Sequence, residues 1–285
     1  MKKNNNEEFQ NLINWFPGHM AKAIKEIKSI ANLADLFIVV LDARCPISSY
    51  NEDFDRISPQ KPRLFIVTKS DLMDQEKKSL ITKRFNSENI LWLDLRKSKS
   101  RSIIINKINF IMKEKIERDK QRGMISSKIK SFVVGVPNSG KSTLINLMQQ
   151  KSTLKVANFP GVTRLKQWVA VGNHYFLDTP GILLPKFENQ EIASKLVAIG
   201  SIKSDIFPLD FISTQSYKLI SKYYPNKVIE LLKLIPSSDE NEIYSLFHDL
   251  ANNNGFFNQH GKPDLIKARI FFMNWLKNLS GVTFD

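Results

Sequence analysis

The chain has 285 residues, of which 42% are hydrophobic and 25% are charged, the composition of a globular protein long enough for two domains. Cys45 is the only cysteine, so an internal disulfide is excluded and a reducing compartment is favoured. The longest apolar run near the start, residues 36–41, is far too short to span a membrane, and residues 1–8 lack the apolar core of a signal peptide. We therefore expect a cytoplasmic protein with no membrane partner.

The net charge of +14 lies entirely in the first part of the chain. Residues 1–185 hold 31 Lys and Arg against 17 Asp and Glu, whereas residues 186–285 hold 11 of each. Within the first part, residues 96–130 carry 12 basic and three acidic residues. Such a block is typical of a surface that binds a polyanion, although charge alone is equally compatible with a solvated helix face.

A Pro-Gly turn interrupts the helical pattern of residues 7–30. His19 lies where the second helix begins, directly after Pro17-Gly18. On spacing alone, a single His beside a turn is most often a surface or capping residue. The pattern by itself therefore gives His19 no functional role.

Two buried strands are predicted next, over residues 35–42 and 63–68. The second strand runs into a short polar sequence, Thr68-Lys69-Ser70-Asp71. A strand followed by x-Lys-x-Asp is the guanine-reading element of GTPases. Its carboxylate can accept hydrogen bonds from guanine N1–H and from the 2-amino group, which adenine lacks. Because an unpaired buried carboxylate is costly, Asp71 predicts GTP rather than ATP as the ligand.

Two features of the predicted base site depart from the usual pattern. Asn is the usual first residue of the guanine element, whereas Thr68 is shorter and has no amide to brace neighbouring loops, so we expect weaker guanine affinity with the same base choice. A third strand over residues 89–93 is followed by Asp94 and Leu95 rather than by a Ser-Ala-Lys signature. We place Asp94 and Leu95 at the base only because nucleotide-contacting loops follow strand ends.

The most specific signal is the glycine loop of residues 135–142, which lies between a predicted strand and a predicted helix. Strand, glycine loop, Lys-Ser and helix form a phosphate-binding P-loop in its required context. Backbone N–H groups and the helix N-terminus favour anionic oxygens there. Lys141 is predicted to reach the β- and γ-phosphates, and the Ser142 hydroxyl to ligate Mg²⁺. The predicted nucleotide-binding residues of this segment are Asn138, Ser139, Gly140, Lys141, Ser142 and Thr143.

Two later motifs complete the predicted phosphate site. Thr163, in a Pro-Gly-Val-Thr sequence, suits a switch residue that closes on Mg²⁺ and the γ-phosphate, although a plain turn is equally compatible with this sequence. A predicted hairpin over residues 166–177 runs into Asp178-Thr179-Pro180-Gly181. We predict that Asp178 orients Mg²⁺ and that the Gly181 backbone N–H senses the γ-phosphate.

Residues 186–285 have helical spacing throughout and no strand pattern. Five helical segments are predicted, around residues 188–200, 209–224, 226–235, 239–253 and 263–279. Five aromatic residues of this part are predicted to lie in its core rather than to contact nucleic acid: Phe256, Phe257, Phe271, Phe272 and Trp275. We therefore predict two domains, a nucleotide-binding domain over residues 1–185 and an all-α domain over residues 186–285.

The motif order is unusual, because the guanine element precedes the P-loop. A single site can still form if the domain is circularly permuted, since old termini that lie close in space can be joined while new ones open elsewhere. The predicted fold class is therefore α/β: a circularly permuted P-loop GTPase domain with a mostly parallel sheet, followed by an all-α domain.

Together these motifs resemble the YlqF/RbgA family of ribosome-biogenesis GTPases. The resemblance rests on the permuted order, on the P-loop and switch motifs, and on Trp15 to Lys22, Asp42-Ala43-Arg44, Gly261 to Asp264 and Gly281 to Phe284. It implies a GTPase that assists late maturation of the large ribosomal subunit and a C-terminal domain that contacts rRNA.

The resemblance also implies roles for two residues. Ile182 follows Gly181 where Ras-like enzymes have a water-orienting Gln, and the family implies that His19 performs this task. Asn138 is similar to the Asn that holds K⁺ in potassium-dependent relatives, so K⁺ is expected beside Mg²⁺.

We expect a monomer that binds GTP and GDP and the large subunit with its rRNA. An RNA-binding module that GTP merely gates is the alternative, which Thr68 and the presence of Ile182 in place of Gln leave open. A P-loop ATPase is disfavoured by Asp71.

Overall fold

The computed structural model describes residues 18–85, 87–149, 156–157, 168–181 and 190–285. Contacts within the chain divide it into two compact units, one between Phe16 and Pro185 and the other between Lys186 and Phe284. Over these described ranges, no helix has both the length and the apolar character needed to cross a membrane.

The first unit is built on a seven-stranded sheet with the order β3-β2-β1-β4-β7-β6-β5. Strands β3, β2, β1, β4 and β7 run parallel, and β6 and β5 continue the sheet in antiparallel pairs. The prediction of a mostly parallel sheet is confirmed. The strands are β1 (Leu36–Asp42), β2 (Arg63–Thr68), β3 (Ile90–Trp92), β4 (Ile129–Val134), β5 (Val156–Ala157), β6 (Trp168–Val171) and β7 (His174–Asp178).

Helices lie on both faces of this sheet. They are α1 (Gly18–Ile30), α2 (Asp53–Ile57), α3 (Lys78–Arg84), α4 (Lys99–Ile111), α5 (Lys113–Gln121) and α6 (Lys141–Gln149), with 3₁₀ turns at Ala31–Leu33, Gln75–Lys77 and Ser87–Asn89. One apolar cluster joins Ala23 and Ile27 of α1 to the sheet, and a second joins Ile104 of α4 and Leu144 of α6 to the opposite face. Strand β1 is buried along its whole length, as expected for a Leu-Phe-Ile-Val-Val-Leu run covered on both faces.

The parallel arrangement gathers the ends of four strands at one edge of the sheet. Asp42 at the end of β1 pairs in register with Thr68 at the end of β2, and Asp178 at the end of β7 pairs with Val133 of β4. The loop after β4 is the P-loop. Ligands of open α/β sheets bind at this carboxyl edge, so the fold places the predicted site there.

The second unit is helical, as predicted. It contains α7 (Gln190–Ala198), α8 (Leu209–Tyr223), α9 (Pro225–Lys227) running into a π-turn (Val228–Leu232), α10 (Glu240–Asn253), α11 (Leu265–Asn278) and a 3₁₀ turn (Ser204–Ile206). Tyr217, Phe247 and Phe272 are fully buried among these helices. Apart from one isolated bridge between Phe257 and Pro263, the described part of this unit has no β-structure.

Two of the five aromatic residues that we predicted to lie in the core are exposed. Phe272 is buried and Phe256 and Trp275 are partly buried, but Phe257 and Phe271 are 51% and 37% exposed. Consecutive helix residues point about 100° apart, because an α-helix has 3.6 residues per turn. The buried stripe of α11 runs through Ala268, Arg269, Phe272, Met273 and Leu276, and Phe271 lies outside it, while Phe257 lies in the loop before α11.

Candidate functional site

The P-loop follows β4 and turns sharply into α6. Gly135 has φ +151°, and a Cβ there would lie 2.4 Å from the Val40 carbonyl oxygen of the adjacent strand. Gly140 has φ +105° and packs against Thr68, and Asn138 adopts a left-handed conformation with φ 57°. Glycine is thus required at position 135 for the backbone of this loop to pass so close to β1.

Lys141, the first residue of α6, points back over this loop. Its ammonium nitrogen donates a hydrogen bond to the Val136 carbonyl oxygen at 2.7 Å, and the residue is only 7% exposed. Burial lowers the pKa of Lys141 to about 8, an effect that the nearby Asp178 carboxylate partly offsets. A buried cation with so little compensating charge favours an anionic ligand, which is what a nucleotide phosphate supplies.

Asp178 lies across the same cavity and fits a divalent cation. Burial raises the pKa of its carboxyl group, and the Lys141 charge and the Thr179 backbone N–H oppose that rise. One carboxylate oxygen, Oδ1, is buried and has no hydrogen-bond partner among the described residues. The orphaned buried carboxylate oxygen and the hydroxyl of Ser142, which lines the same cavity, are a suitable donor set for Mg²⁺, which prefers oxygen ligands and retains several waters. No cluster of three His, Cys, Asp or Glu ligands occurs in the part of the chain that the structure describes.

The cavity that these groups line has a volume of about 700 Å³. Gly181, the predicted γ-phosphate sensor, forms part of its wall, and a Cβ at Gly181 would lie 2.8 Å from the Pro137 backbone. Only glycine therefore lets this segment approach the P-loop so closely. Glu26 of α1 also lines the cavity, and sequence reasoning gave no signal for it.

The guanine element contacts the P-loop directly. The Thr68 hydroxyl lies 2.6 Å from the Ser139 carbonyl oxygen and 3.0 Å from the Leu41 carbonyl oxygen. The expectation that Thr68 cannot brace neighbouring loops is therefore wrong. Strand β1 lies between β2 and β4, but the P-loop that follows β4 folds back over the end of β1. This brings the P-loop next to the end of β2, so that a short side chain is long enough to reach it.

Lys69 forms the second link between the two elements. Its ammonium nitrogen donates to the Asn138 carbonyl oxygen at 2.9 Å and to Asp42 Oδ2 at 2.6 Å, and its own φ is 54°. The two segments, which are distant and in reversed order along the chain, are thus in direct contact.

Asp42 and Arg44 are site residues that the motif analysis gave no role. Asp42 is fully buried, and Arg44 binds both of its oxygens, Nε to Oδ1 at 3.0 Å and Nη2 to Oδ2 at 2.9 Å. Burial alone raises the pKa of Asp42, but Arg44 and Lys69 outweigh it and hold the pKa below its ordinary value. One feature of the sequence could have indicated a role for Asp42: it is an acidic residue at the end of a buried strand, β1, next to the strand that leads into the guanine element. Asp42 positions Lys69 through this ion cluster.

The carboxylate predicted to read guanine lies beside the loop after β3. Asp71 Oδ2 accepts a hydrogen bond from Arg96 Nη2 at 2.8 Å, and Arg96 also binds both oxygens of Asp94. The Leu95 side chain is buried, and the Asp94 carbonyl oxygen accepts from Ser100 Oγ. The base contacts assigned to Asp94 and Leu95 stay predictions, and Arg96 is the neighbour of Asp71 that sequence reasoning missed.

The remaining predicted residues are placed as follows. Ser142 and Thr143 are exposed in the first turn of α6, and the Ser70 carbonyl oxygen accepts from the Gln75 side chain at 2.7 Å. The backbone of His19 lies in the first turn of α1, but its side chain is outside the described residues, as is the whole of Thr163.

Three comparisons place this chain among known proteins. A family model described as "50S ribosome-binding GTPase" matches residues 130–240. The chain is 34% identical over 281 residues to ribosome biogenesis GTPase A of Bacillus cereus, covering 96% of this chain and 94% of the relative. It is 32% identical over 281 residues to the Priestia megaterium protein of that name, covering 96% of both.

The fold is similar to that of a solved structure, GNP-bound YlqF from Thermotoga maritima, with a TM-score of 0.65. The match covers 93% of this chain and 97% of that one at 22% sequence identity, which supports the shared fold. Family members use GTP, and GTPases of this class generally require Mg²⁺, which the donor set at Asp178 and Ser142 fits. With sequence identity above 30% over nearly its whole length, the chain belongs to the ribosome biogenesis GTPase A (YlqF/RbgA) family and is a GTPase of ribosome biogenesis.

Proposed function

We propose that this GTPase binds the maturing large ribosomal subunit and hydrolyses GTP to GDP when the subunit stimulates it, assisting a late step of assembly in the cytoplasm. One observation carries the nucleotide half of the proposal: the contact of Thr68 and Lys69 with the P-loop, which lets one nucleotide reach both elements. Residues 1–185 are proposed to bind the nucleotide, and residues 186–285 to contact rRNA. We propose that the protein acts as a monomer.

In this proposal the phosphate end of the site has defined roles. Lys141 binds the β- and γ-phosphates, and Ser142, Asp178 and Thr163 hold Mg²⁺, which when bound neutralises phosphate charge. The Gly181 N–H contacts the γ-phosphate and so distinguishes GTP from GDP. His19 holds the attacking water, since Ile182 cannot form hydrogen bonds.

At the other end of the site, Asp71 accepts hydrogen bonds from the guanine edge, and Lys69 lies along the base. Its ammonium nitrogen is already fixed by Asp42 and Asn138. A side chain held in advance loses little conformational freedom when the ligand binds. The guanine element is therefore preorganised by protein contacts, which offsets the absence of the usual Asn at position 68.

Besides residues 186–285, the basic block of residues 96–130 is proposed to provide much of the salt-dependent part of the rRNA contact. Along α5 and the following loop, Arg118, Lys120, Arg122 and Lys128 are exposed, whereas Lys115 is held by Asp119 at 2.7 Å. This loop leads into the start of β4, at the end of the sheet opposite the P-loop. A polyanion bound there would leave the nucleotide site open.

Substituting this surface tests the rRNA contact. In the Arg118→Glu/Arg122→Glu double variant, we expect weaker binding to large subunits and a salt slope, log Kd against log salt concentration, that is shallower by about 0.7–0.9 for each phosphate that the variant no longer neutralises. Sedimentation with purified subunits at several salt concentrations measures both. The matched control is Lys78→Glu/Lys83→Glu, which changes the same charge on α3. Unchanged binding by the first variant would show that the block is only a solvated face.

A monovalent cation at Asn138 is also proposed. An amide oxygen is a suitable ligand for K⁺, which would neutralise charge between the β- and γ-phosphates. Replacing K⁺ by Na⁺ at constant ionic strength should lower the hydrolysis rate. In Asn138→Gly, which keeps the left-handed backbone accessible but removes the amide, the two salts should give equal rates. A wild-type rate that is the same in both salts would remove K⁺ from the proposal.

The experiment that tests the whole proposal compares two measurements on the intact chain. Subunit binding is measured by sedimentation with GDP and with a non-hydrolysable GTP analogue, and GTP hydrolysis is measured with and without large subunits. We expect tighter binding with the analogue and faster hydrolysis with subunits. Tighter binding without any stimulated hydrolysis would instead favour the GTP-gated RNA-binding module.

A further inference from the structure

The Asp71 carboxylate is already bound by a side chain of the protein. Arg96 Nη2 donates to Asp71 Oδ2 at 2.8 Å, while its Nε and Nη2 donate to the two oxygens of Asp94 at 2.9 and 3.0 Å. The Arg96 backbone N–H also donates to Asp94 Oδ1. Asp94 thus fixes the guanidinium from one side and aims it at Asp71.

The guanidinium group and the guanine edge present the same chemistry to a carboxylate. In both, a carbon joins two nitrogens whose N–H groups point in parallel: two guanidinium N–H groups in one case, N1–H and the 2-amino group in the other. Carboxylates bind such forks with two hydrogen bonds. Arg96 uses its Nε–Nη2 fork for Asp94 and gives Asp71 one hydrogen bond from Nη2, so arginine and guanine compete for one acceptor oxygen, Asp71 Oδ2. The adenine edge has no such pair of donors and does not compete.

We propose that Arg96 is an internal competitor of the guanine base, occupying the Asp71 carboxylate and lowering the affinity for guanine nucleotides until the base displaces it. This inference rests on the proposed reading of guanine by Asp71. A nucleotide that offers both donors replaces the guanidinium, whereas one that lacks them leaves the ion pair intact. Arg96 therefore lowers the affinity of the site for guanine nucleotides.

The position of the pair makes the competition weak and reversible. The Arg96 side chain is 71% exposed and that of Asp71 is 34% exposed. Ion pairs so accessible to water contribute little and are screened by salt. The hydrogen bonds from Asp94 nevertheless keep the guanidinium in place, so that the base meets an occupied carboxylate rather than a mobile side chain.

Equilibrium binding of fluorescent GDP and of ADP to the full chain tests the proposal. We expect Arg96→Gln to bind GDP about two- to fivefold tighter than wild type at low ionic strength. The ratio should fall towards one as salt screens the ion pair, and the affinity for ADP should not change. The matched control is Lys97→Gln, which removes the same charge from a neighbouring exposed residue whose described contacts do not include Asp71.

Equal GDP affinity of wild type and Arg96→Gln would overturn the proposal, and so would weaker binding by the variant, because Arg96 would then be a contact to the nucleotide. Asp71→Asn, measured in parallel, distinguishes a failure of the proposed reading of guanine by Asp71 from a failure of the proposed competition by Arg96. If Asp71→Asn leaves GDP binding unchanged, the reading of guanine by Asp71 fails and the competitor with it. If Asp71→Asn weakens GDP binding while Arg96→Gln has no effect, only the competitor fails.

Discussion

Replacing Asp71 by Asn should exchange guanine for xanthine specificity. An Asn amide keeps one acceptor for the base N1–H but turns a donor towards the guanine 2-amino group, so one charged hydrogen bond is replaced by two opposed donors. The loss of such a bond costs about 1.5–3 kcal/mol, so GTP should bind about 10- to 150-fold more weakly. Xanthine carries a carbonyl at that position and accepts from the amide, so XTP should gain affinity. Competition of each nucleotide against fluorescent GDP measures both changes.

Asp74→Asn is the matched control for this substitution. Asp74 follows the same strand, but its carboxylate caps the turn at Gln75 by accepting from the Glu76 N–H at 3.1 Å. Asn caps as well as Asp does, so the control should fold and bind GTP as wild type does. Undiminished GTP binding by Asp71→Asn would show that Asp71 does not read the guanine base.

His19→Ala should spare GTP binding and slow subunit-stimulated turnover by about 10²-fold or more. The proposed task of the imidazole is to hold the attacking water, and positioned general bases contribute about 10²- to 10⁴-fold. GTP affinity should be unaffected because the contacts to base and phosphates come from other residues. Single-turnover hydrolysis with saturating large subunits, measured beside equilibrium binding, separates the chemical step from affinity.

Two further variants make the His19 result interpretable. His19→Gln retains a group that can hydrogen-bond to water, so it should recover part of the lost rate. His260→Ala removes an exposed His from the loop before α11 and should hydrolyse GTP at the wild-type rate. Wild-type turnover by His19→Ala in the presence of subunits would mean that another group positions the water.

The ion cluster at Asp42 connects base recognition to the phosphate loop. Lys69 bridges the buried Asp42 and the Asn138 carbonyl, so the guanine element, strand β1 and the P-loop are held together before any nucleotide contact is made. Removing one partner from a buried ion pair is strongly destabilising, because the other charge remains buried. The Asp42-Ala43-Arg44 sequence thereby has a physical role: it fixes Lys69, the lysine that we propose to lie along the base.

The local motifs were readable from the sequence because their chemistry lies in consecutive residues. A glycine loop between a strand and a helix, and a strand followed by Lys-x-Asp, each specify a backbone path and a set of groups for the ligand. The alternation of buried strands with helices also predicted the α/β class. Contacts across the sheet could not be predicted in this way. The hydroxyl of Thr68 looked too short to brace the P-loop until the fold brought the Ser139 carbonyl within 2.6 Å.

The sequence by itself determined the nucleotide class, the two kinds of domain and the reversed order of the motifs, since each depends on residues close together in the chain. Only the tertiary structure decided that the two halves of the site meet, that Asp42 and Arg44 hold Lys69, that Arg96 binds Asp71, and that Phe257 and Phe271 face outward. These contacts depend on strand order and on the direction in which each side chain leaves the backbone. Residues far apart in sequence become neighbours only when parallel strands bring their carboxyl ends to one edge of a sheet.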